Sequence, residues 1–508
     1  MPALILVLLL WGGSTVFGQA ADSIAPSRTT VEDGVNPSAS PSQPFVSHFG
    51  NLPDSEKAVR QLPPPFNDPN KIWTLPELVD QALKRNPSTA QAWEQANSAA
   101  AQLGVQKAAN YPTISMGANG GPSHTTSPTY PGYSTTNEIS FTPQLQIQYT
   151  LLDFGTRNAS QEQARFNLLS QNFNFNQSLK TMVLNVMTDY YNLDQAKAAL
   201  KNAETSLNLA ETTLQATQIK QKVGLGTSTD VATSEQNLQQ ARYNLGNAEG
   251  TLSMSQVQLG TSLGIPGTAE LKIAPPSNPP SLAVLDQQVG QLVDQAFRQR
   301  PDIASKYNAW RAQLAAVNQA EAARWPALTV ATGLQRTYFE AKNQGGFSSQ
   351  GSFNGGGHFD SATATLGFTF TLFDGGADAY QIKSARALAE AAKADLLTTE
   401  LGAISSVVTG YISFRTASRQ VDAGQALLEA SQKNYDATSI AYQHGLKTII
   451  DVITAENNLT SAQATLSQAR TSLFIASANL TNATGSMISP AKSAVIPPVI
   501  SMISEKNK

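Results

Sequence analysis

Val223-Gly224-Leu225-Gly226-Thr227-Ser228-Thr229-Asp230-Val231 returns 221 positions later as His444-Gly445-Leu446-Lys447-Thr448-Ile449-Ile450-Asp451-Val452. Each stretch carries a Gly suited to a left-handed helix C-cap. The Ser, Thr or Asp that follows can accept hydrogen bonds from the free N–H groups opening another helix. Both therefore read as the turns of helical hairpins. Upstream, Leu179, Val186, Leu193, Leu200, Leu207 and Leu214 recur every seven residues, as do Val407, Phe414, Val421, Leu428, Tyr435 and Tyr442. Downstream, Val231, Leu238, Leu245, Leu252 and Leu259 keep the same spacing, and so do Val452, Leu459, Leu466, Leu473 and Leu480. Such heptads predict coiled-coil helices, and the small residues among them (Ala196, Ala203, Ala210, Ala417, Gly424) allow close approach. A helix from about Phe154 to Val223 would be about 100 Å long at 1.5 Å per residue, too long for a compact core. The Gly-Leu-Gly run is not a phosphate loop, because it lacks the third Gly, the Lys-Ser/Thr pair and a preceding strand.

The duplication extends beyond the turns. Val79-Asp80-Gln81-Ala82-Leu83 with Asn86-Pro87 parallels Val293-Asp294-Gln295-Ala296-Phe297 with Arg300-Pro301, and Tyr111-Pro112 parallels Trp325-Pro326, all at an offset of 214. Past a seven-residue loop difference, an offset of 221 relates Leu151-Leu152-Asp153-Phe154-Gly155 to Leu372-Phe373-Asp374-Gly375-Gly376, and Gly264 to Gly485. Two copies of one pattern thus fill most of the chain. The expected organisation is a signal peptide over 1–20, a Pro/Ser-rich arm over 21–72 and a first repeat over 73–264. A linker over 265–285, a second repeat over 286–487 and a tail over 488–508 follow.

Between the helices the period drops to two. Ile139, Phe141, Leu145, Ile147, Tyr149 and Leu151 alternate with polar residues, and Ala362, Ala364, Leu366, Phe368, Phe370 and Leu372 do likewise. Shorter runs, 113–118 and 328–334, precede them. Four strands of about 8 to 13 residues are expected, close to the length of a tilted transmembrane strand. The Gly/Ser/Thr/Asn-rich stretches 119–137 and 338–359 are expected to be exposed loops. Four strands cannot close a barrel in lipid, where every backbone group must be paired. Three copies would supply twelve. The alternative is an ordinary antiparallel sheet on a soluble core.

Composition narrows the function. The 34 Lys plus Arg against 37 Asp plus Glu leave a net charge of −3, with no basic footprint for nucleic acid. With no cysteine there is no disulfide, thiolate metal site, cysteine nucleophile or lipidated N-terminal cysteine. The four histidines, at 48, 124, 358 and 444, fall in an arm, two loops and a tip without metal-ligand spacing. No HExxH, GxSxG or P-loop occurs, so neither catalytic residues nor a cofactor is expected. The aliphatic run Ala3–Leu10, followed by Gly18-Gln19-Ala20, reads as a secretory signal, although no Lys or Arg precedes it. A short buried helix or strand is the competing reading.

The paired Leu-Phe-Asp-Gly-Gly-like junctions and paired Gly-Leu-x-Thr…Asp-Val tips together resemble the TolC-type outer-membrane efflux proteins over residues 73–487. That resemblance implies a mainly α fold with transmembrane β, each protomer giving long coiled-coil hairpins and four strands. It further implies a homotrimer in outer-membrane lipid, with a 12-stranded barrel continuous with an α-helical periplasmic tunnel. The implied partners are a periplasmic adaptor (membrane fusion) protein and an inner-membrane transporter, and the implied task is passive exit of small toxic compounds. A conduit for type I protein secretion and a nonconducting periplasmic coiled coil are the alternatives.

Residue roles follow from the same resemblance. Val223, Gly224, Leu225 and Thr227 fit the adaptor-contacting tip. Gly445, Leu446 and Thr448 fit it too, but His444 departs at the first position. Tyr442 and Lys447 fall where the family's closed gate has a Tyr and an Arg reaching the equivalent of Asp230. Asp451 falls at a constricting carboxylate ring, and Thr454 replaces a second one, which implies weaker cation selectivity. Asp230 and Asp451 equally suit a helix N-terminus, and Tyr442 equally continues a heptad. Asp153 and Asp374 read as N-caps.

Overall fold

The computed structural model describes residues 66, 68, 70–129, 132–267, 270–276, 288–345 and 354–487. The expected signal peptide, nearly all of the arm and the tail lie outside the described residues. In chain order the elements are β1 (Ile72–Trp73), α1 (Leu75–Arg85), α2 (Pro87–Ala108), β2 (Thr113–Thr129), β3 (Gly132–Leu152), α3 (Thr156–Lys222) and α4 (Ser228–Leu263). Then come β4 (Lys272–Ile273), α5 (Val289–Gln299), α6 (Pro301–Ala322), β5 (Ala327–Gly345), β6 (Asn354–Thr369), α7 (Ala377–Gln443) and α8 (Ile449–Thr484).

The duplication is carried into element lengths. Helices α3 and α7 have 67 residues each, and α4 and α8 have 36 each. The two large helices begin with the same device. Asp153 accepts hydrogen bonds from the N–H groups of Gly155 (3.4 Å) and Arg157 (2.9 Å), while Asp374 accepts from Gly376 (2.8 Å) and Asp378 (2.6 Å). The N-cap positions themselves are Gly155 and Gly376, both left-handed, so each Asp caps from two residues upstream.

Each large helix needs company along about 100 Å, more than a 36-residue partner can give. Two shorter helices stacked end to end supply it. The C-terminus of α4 abuts the N-terminus of α2: Gly264 turns left-handed against Asn86, whose Nδ2 donates to the Ser262 carbonyl at 2.8 Å. In the second repeat Gly485 turns against Gln299, and Arg300 donates to the Ala483 carbonyl at 3.4 Å while Lys180 donates to that of Asn482 at 3.2 Å. A carbonyl end facing an amide end is the favourable alignment of helix dipoles. The heptad reading holds best on α8, where Val452, Leu459, Leu466, Leu473 and Leu480 are all buried. On α3, Val186 and Leu193 are fully buried, each contributing about 2 kcal/mol of hydrophobic stabilisation.

The stretch expected to be a linker contributes structure. Strand β4 pairs in parallel with β1, and the two close a core of Phe66, Trp73, Leu78, Tyr190, Leu259 and Ile273 around the α3–α4 pair. The main sheet has the order β2-β3-β5-β6, antiparallel throughout. Its strands, at 16 to 21 residues, exceed expectation. Both hairpins run through most of what reads as loop, so His124 and His358 lie on strands. Once a ladder is formed, backbone pairing extends it regardless of hydropathy, and a segment with water on both faces loses the alternation by which a strand is recognised. At the far end β6 stops at Thr369, short of the expected Leu372.

Gly485 and Gly445 provide a test of the stacked helix ends. Both are left-handed, but a Cβ on Gly485 would lie 2.7 Å from the Gln299 Cβ and 2.9 Å from its carbonyl carbon, whereas Gly445 has nothing within 4 Å. Gly445→Ala should cost about 1–2 kcal/mol of backbone strain, and Gly485→Ala roughly 1–3 kcal/mol more from the clash. Guanidinium unfolding of both variants would measure the difference.

Candidate functional site

The two hairpin turns are built alike. Gly224 and Gly445 have φ of +76° and +74°. The N–H of Leu225 donates to the Lys220 carbonyl at 2.8 Å and that of Leu446 to the Ala441 carbonyl at 2.8 Å, closing the Schellman arrangement in each. A capping box then opens each following helix. The Thr227 N–H donates to the Asp230 carboxylate at 2.9 Å and the Asp230 N–H to the Thr227 hydroxyl at 3.1 Å. Thr448 and Asp451 repeat this at 2.9 and 3.3 Å. The caps hold an apolar tip in water, with Leu225 and Leu446 each 79% exposed and Val223 64% exposed. Seven expected tip residues, Val223, Gly224, Leu225, Thr227, Gly445, Leu446 and Thr448, thus sit on two matching turns.

The four expected gate residues are only partly brought together. Asp230 is taken up by its own capping box, and Asp451 by its own. Lys447 pairs with Asp451 at 3.7 Å within one turn rather than with Asp230. Hydrogen bonds from Thr448, supported by Lys447, hold the Asp451 carboxyl below the usual carboxylate range. Tyr442 is partly buried, and that burial, with the nearby Asp230 charge, pushes its hydroxyl pKa up. Its main partner is a residue that sequence reasoning missed. Lys220, at the end of α3, donates to the Tyr442 carbonyl at 2.9 Å and places Nζ 3.5 Å from the centre of the Tyr442 ring. This joins the two hairpins just above their tips. Comparison of the repeats holds the signal: Lys220 and Gln221 align with Ala441 and Tyr442, adjacent mismatches in otherwise parallel turns.

A second missed residue lies farther up the same seam. Glu456 on α8 is 1% exposed, its Oε2 has no partner among the described residues, and the Asn237 side chain of α4 hydrogen-bonds its carboxyl. Burial pushes its pKa up to about 7. Its repeat counterpart, Glu235, is exposed.

The sheet supplies the other surface. Its register puts Ile114, Met116, Ile139, Phe141, Leu145, Ile147, Val330, Leu334, Leu366 and Phe368 on one face. The opposite face presents Ser115, Gln144, Gln146, Gln148, Thr142, Thr363 and Thr365. Many of the apolar side chains are exposed in the single chain, Met116 at 87%. Aromatic residues border this face: Phe154 stacks on Trp325 at 5.7 Å beside the helices, and Tyr338 pairs with His358 at 5.9 Å toward the hairpin ends. Among the described residues, strands β2 and β6 are the two edges of the sheet.

A pH dependence follows from Glu456. Its folded pKa lies above the ordinary 4.5, so between about pH 4.5 and 7 the folded chain keeps a proton that the unfolded chain has lost. Stability should fall as pH rises through that window, by at most about 1.4 kcal/mol per pH unit, and level off above it. Glu456→Gln should remove this slope when unfolding midpoints at pH 5 and 7.5 are compared.

Known proteins share this architecture. The family model described as "Outer membrane efflux protein" matches residues 78–265 and 292–486. Nodulation protein T of Rhizobium leguminosarum bv. trifolii is 24% identical over 416 residues, covering 80% of this chain and 83% of that protein. Outer membrane protein TolC of Escherichia coli (strain K12) is 22% identical over 428 residues, covering 83% and 84%. Among solved structures, the Campylobacter jejuni CmeC outer membrane channel has the same fold, with a TM-score of 0.70 at 19% identity over 85% of this chain and 89% of that one. The family match takes in both repeats and most of the sequence: the chain belongs to the outer membrane efflux protein family.

Proposed function

We propose that three copies of this chain close a 12-stranded barrel in the outer membrane, with their helices forming the periplasmic tunnel of a passive exit duct. The observation that carries this reading is the sheet: one face apolar from Leu328 to Leu334 and rimmed on the hairpin side by the Arg336–Asp360 ion pair and Tyr338, one polar face and two open edges. From Leu328 to Tyr338 the strand rises about 33 Å at roughly 3.3 Å per residue. Tilted by about 40°, that covers about 25 Å, the height of the lipid-facing band of such barrels. Edges exposed to lipid are not tolerated, so β2 of one copy pairs with β6 of the next. Members of this family are channels and not enzymes.

In this reading the exposed apolar tips, Val223-Gly224-Leu225 with Thr227 and Gly445-Leu446 with Thr448, meet a periplasmic adaptor that links the duct to an inner-membrane transporter of small toxic compounds. The gate is formed by Asp230, Tyr442, Lys447 and Asp451. The contact from Lys220 to Tyr442 holds each protomer's second hairpin against its first. A ring of Asp451 carboxylates narrows the entrance, while Thr454 turns its hydroxyl to the Ile450 carbonyl at 2.7 Å and adds no charge.

The chain has no cysteine, so one cysteine placed in β2 and one in β6 should cross-link copies into a trimer on denaturing gels. Only monomers across a scan of pairs would refute the shared barrel. Deleting the gene should sensitise cells to toxic small molecules; loss of a secreted protein with unchanged sensitivity would assign the duct to protein export. In planar bilayers Lys220→Ala, Tyr442→Ala and Asp230→Ala should each raise conductance severalfold, and unchanged currents would remove that residue from the gate.

A further inference from the structure

The polar face of the sheet carries one pair of large aromatic side chains. Register places Phe339 opposite Ser140 and Gly357, and Phe359 opposite Thr337, so both rings lie on the face of Gln144, Gln146 and Thr363. Their centroids are 6.1 Å apart. The pair has a built seat. A Cβ on Gly357 would come within 3.3 Å of the Phe339 ring, so the glycine lets that ring lie flat on β6. Beneath it Thr142 donates to the Thr337 hydroxyl at 3.0 Å, which occupies the neighbouring polar groups. Phe359 remains 52% exposed. On the same face Glu138 lies opposite Ala341, next along the ladder from Phe339. Among the described strand residues it is the single charged side chain on this face. Arg336, Glu340, Lys342 and Asp360 all fall on the apolar side by the same alternation.

We propose that Phe339, Phe359 and Glu138 form a transit site for aromatic cations at the outer mouth of the lumen. This rests on the duct reading, in which the polar face lines the lumen and three copies repeat the site around it. The pair is level with Tyr338, at the hairpin-side border of the apolar band. Solute leaving the tunnel passes a wall of hydroxyls, amides and glycines that offers little to an apolar surface. At the mouth it meets rings able to stack on it and a carboxylate able to balance its charge. Stacking and cation–π attraction are each worth enough to slow passage of such a solute without trapping it.

Block of ionic current tests the site in the reconstituted full-length protein. Tetraphenylphosphonium added on the hairpin side should block at concentrations at least tenfold below tetraethylammonium, a cation without rings. Phe359→Ser should raise the half-blocking concentration of tetraphenylphosphonium severalfold, and Phe339→Ser with Phe359→Ser about tenfold, with tetraethylammonium unchanged. Phe359→Leu should resemble Phe359→Ser if the ring matters and the wild type if mere apolar bulk does. Glu138→Gln should weaken block by both cations. Equal block of wild type and Phe359→Ser would overturn the proposal and leave the rings as a brace of the hairpin, as would a Phe359→Leu variant that blocks like the wild type. Absence of any current through the wild type would instead defeat the duct reading itself.

Discussion

A backbone N–H or C=O left unpaired in hydrocarbon costs several kcal/mol, and that constraint sets the terms for the rest of this molecule. The four-stranded sheet satisfies its interior ladders and leaves β2 and β6 open. Its apolar face continues across all four strands, so the sheet is soluble neither as a free body nor as a lone insertion. In the proposed trimer, shared closure answers both difficulties.

Length is the second demand, met with ordinary parts. Helices of 67 residues are rare, and each is accompanied by two shorter ones whose ends meet at a left-handed glycine, Gly264 or Gly485. The joint is reinforced differently in the two repeats. Asn86 donates to a free carbonyl in the first, and Arg300 with Lys180 does so in the second. Identical geometry thus tolerates different chemistry as long as the terminal carbonyls are met. Small residues serve the same end: Gly410 and Gly424 bring α7 to within van der Waals contact of Leu480 and Leu466 on α8.

The two repeats differ beside their turns. The turns share glycine, threonine and aspartate, which build the Schellman caps and capping boxes, so these are structural whatever else they do. Lys220 and Tyr442 align with the dissimilar Ala441 and Gln221, and they are the pair that fastens one hairpin to the other. Glu235 and Glu456 are the same amino acid at equivalent positions, one in water and one buried with an unpaired oxygen. The same amino acid in two different neighbourhoods cannot reveal that difference, because desolvation is a property of the neighbours.

Much of this was legible in the chain itself. Heptads declared the long helices, glycine followed by threonine and aspartate declared the turns, and alternation declared the membrane-height part of each strand, because local patterns of period 3.5 and 2 are direct records of which face is buried. Other features needed the folded chain. Pairing carried the hairpins past the alternating stretches, since a backbone ladder does not depend on side-chain polarity. The pairing of β4 with β1 joined segments about 200 residues apart that carry no shared local signal. Within the chain Lys447 lies beside Asp451, one turn away. Period and cap are written in neighbours along the chain, whereas partnership between distant side chains is settled only by the distances that packing imposes.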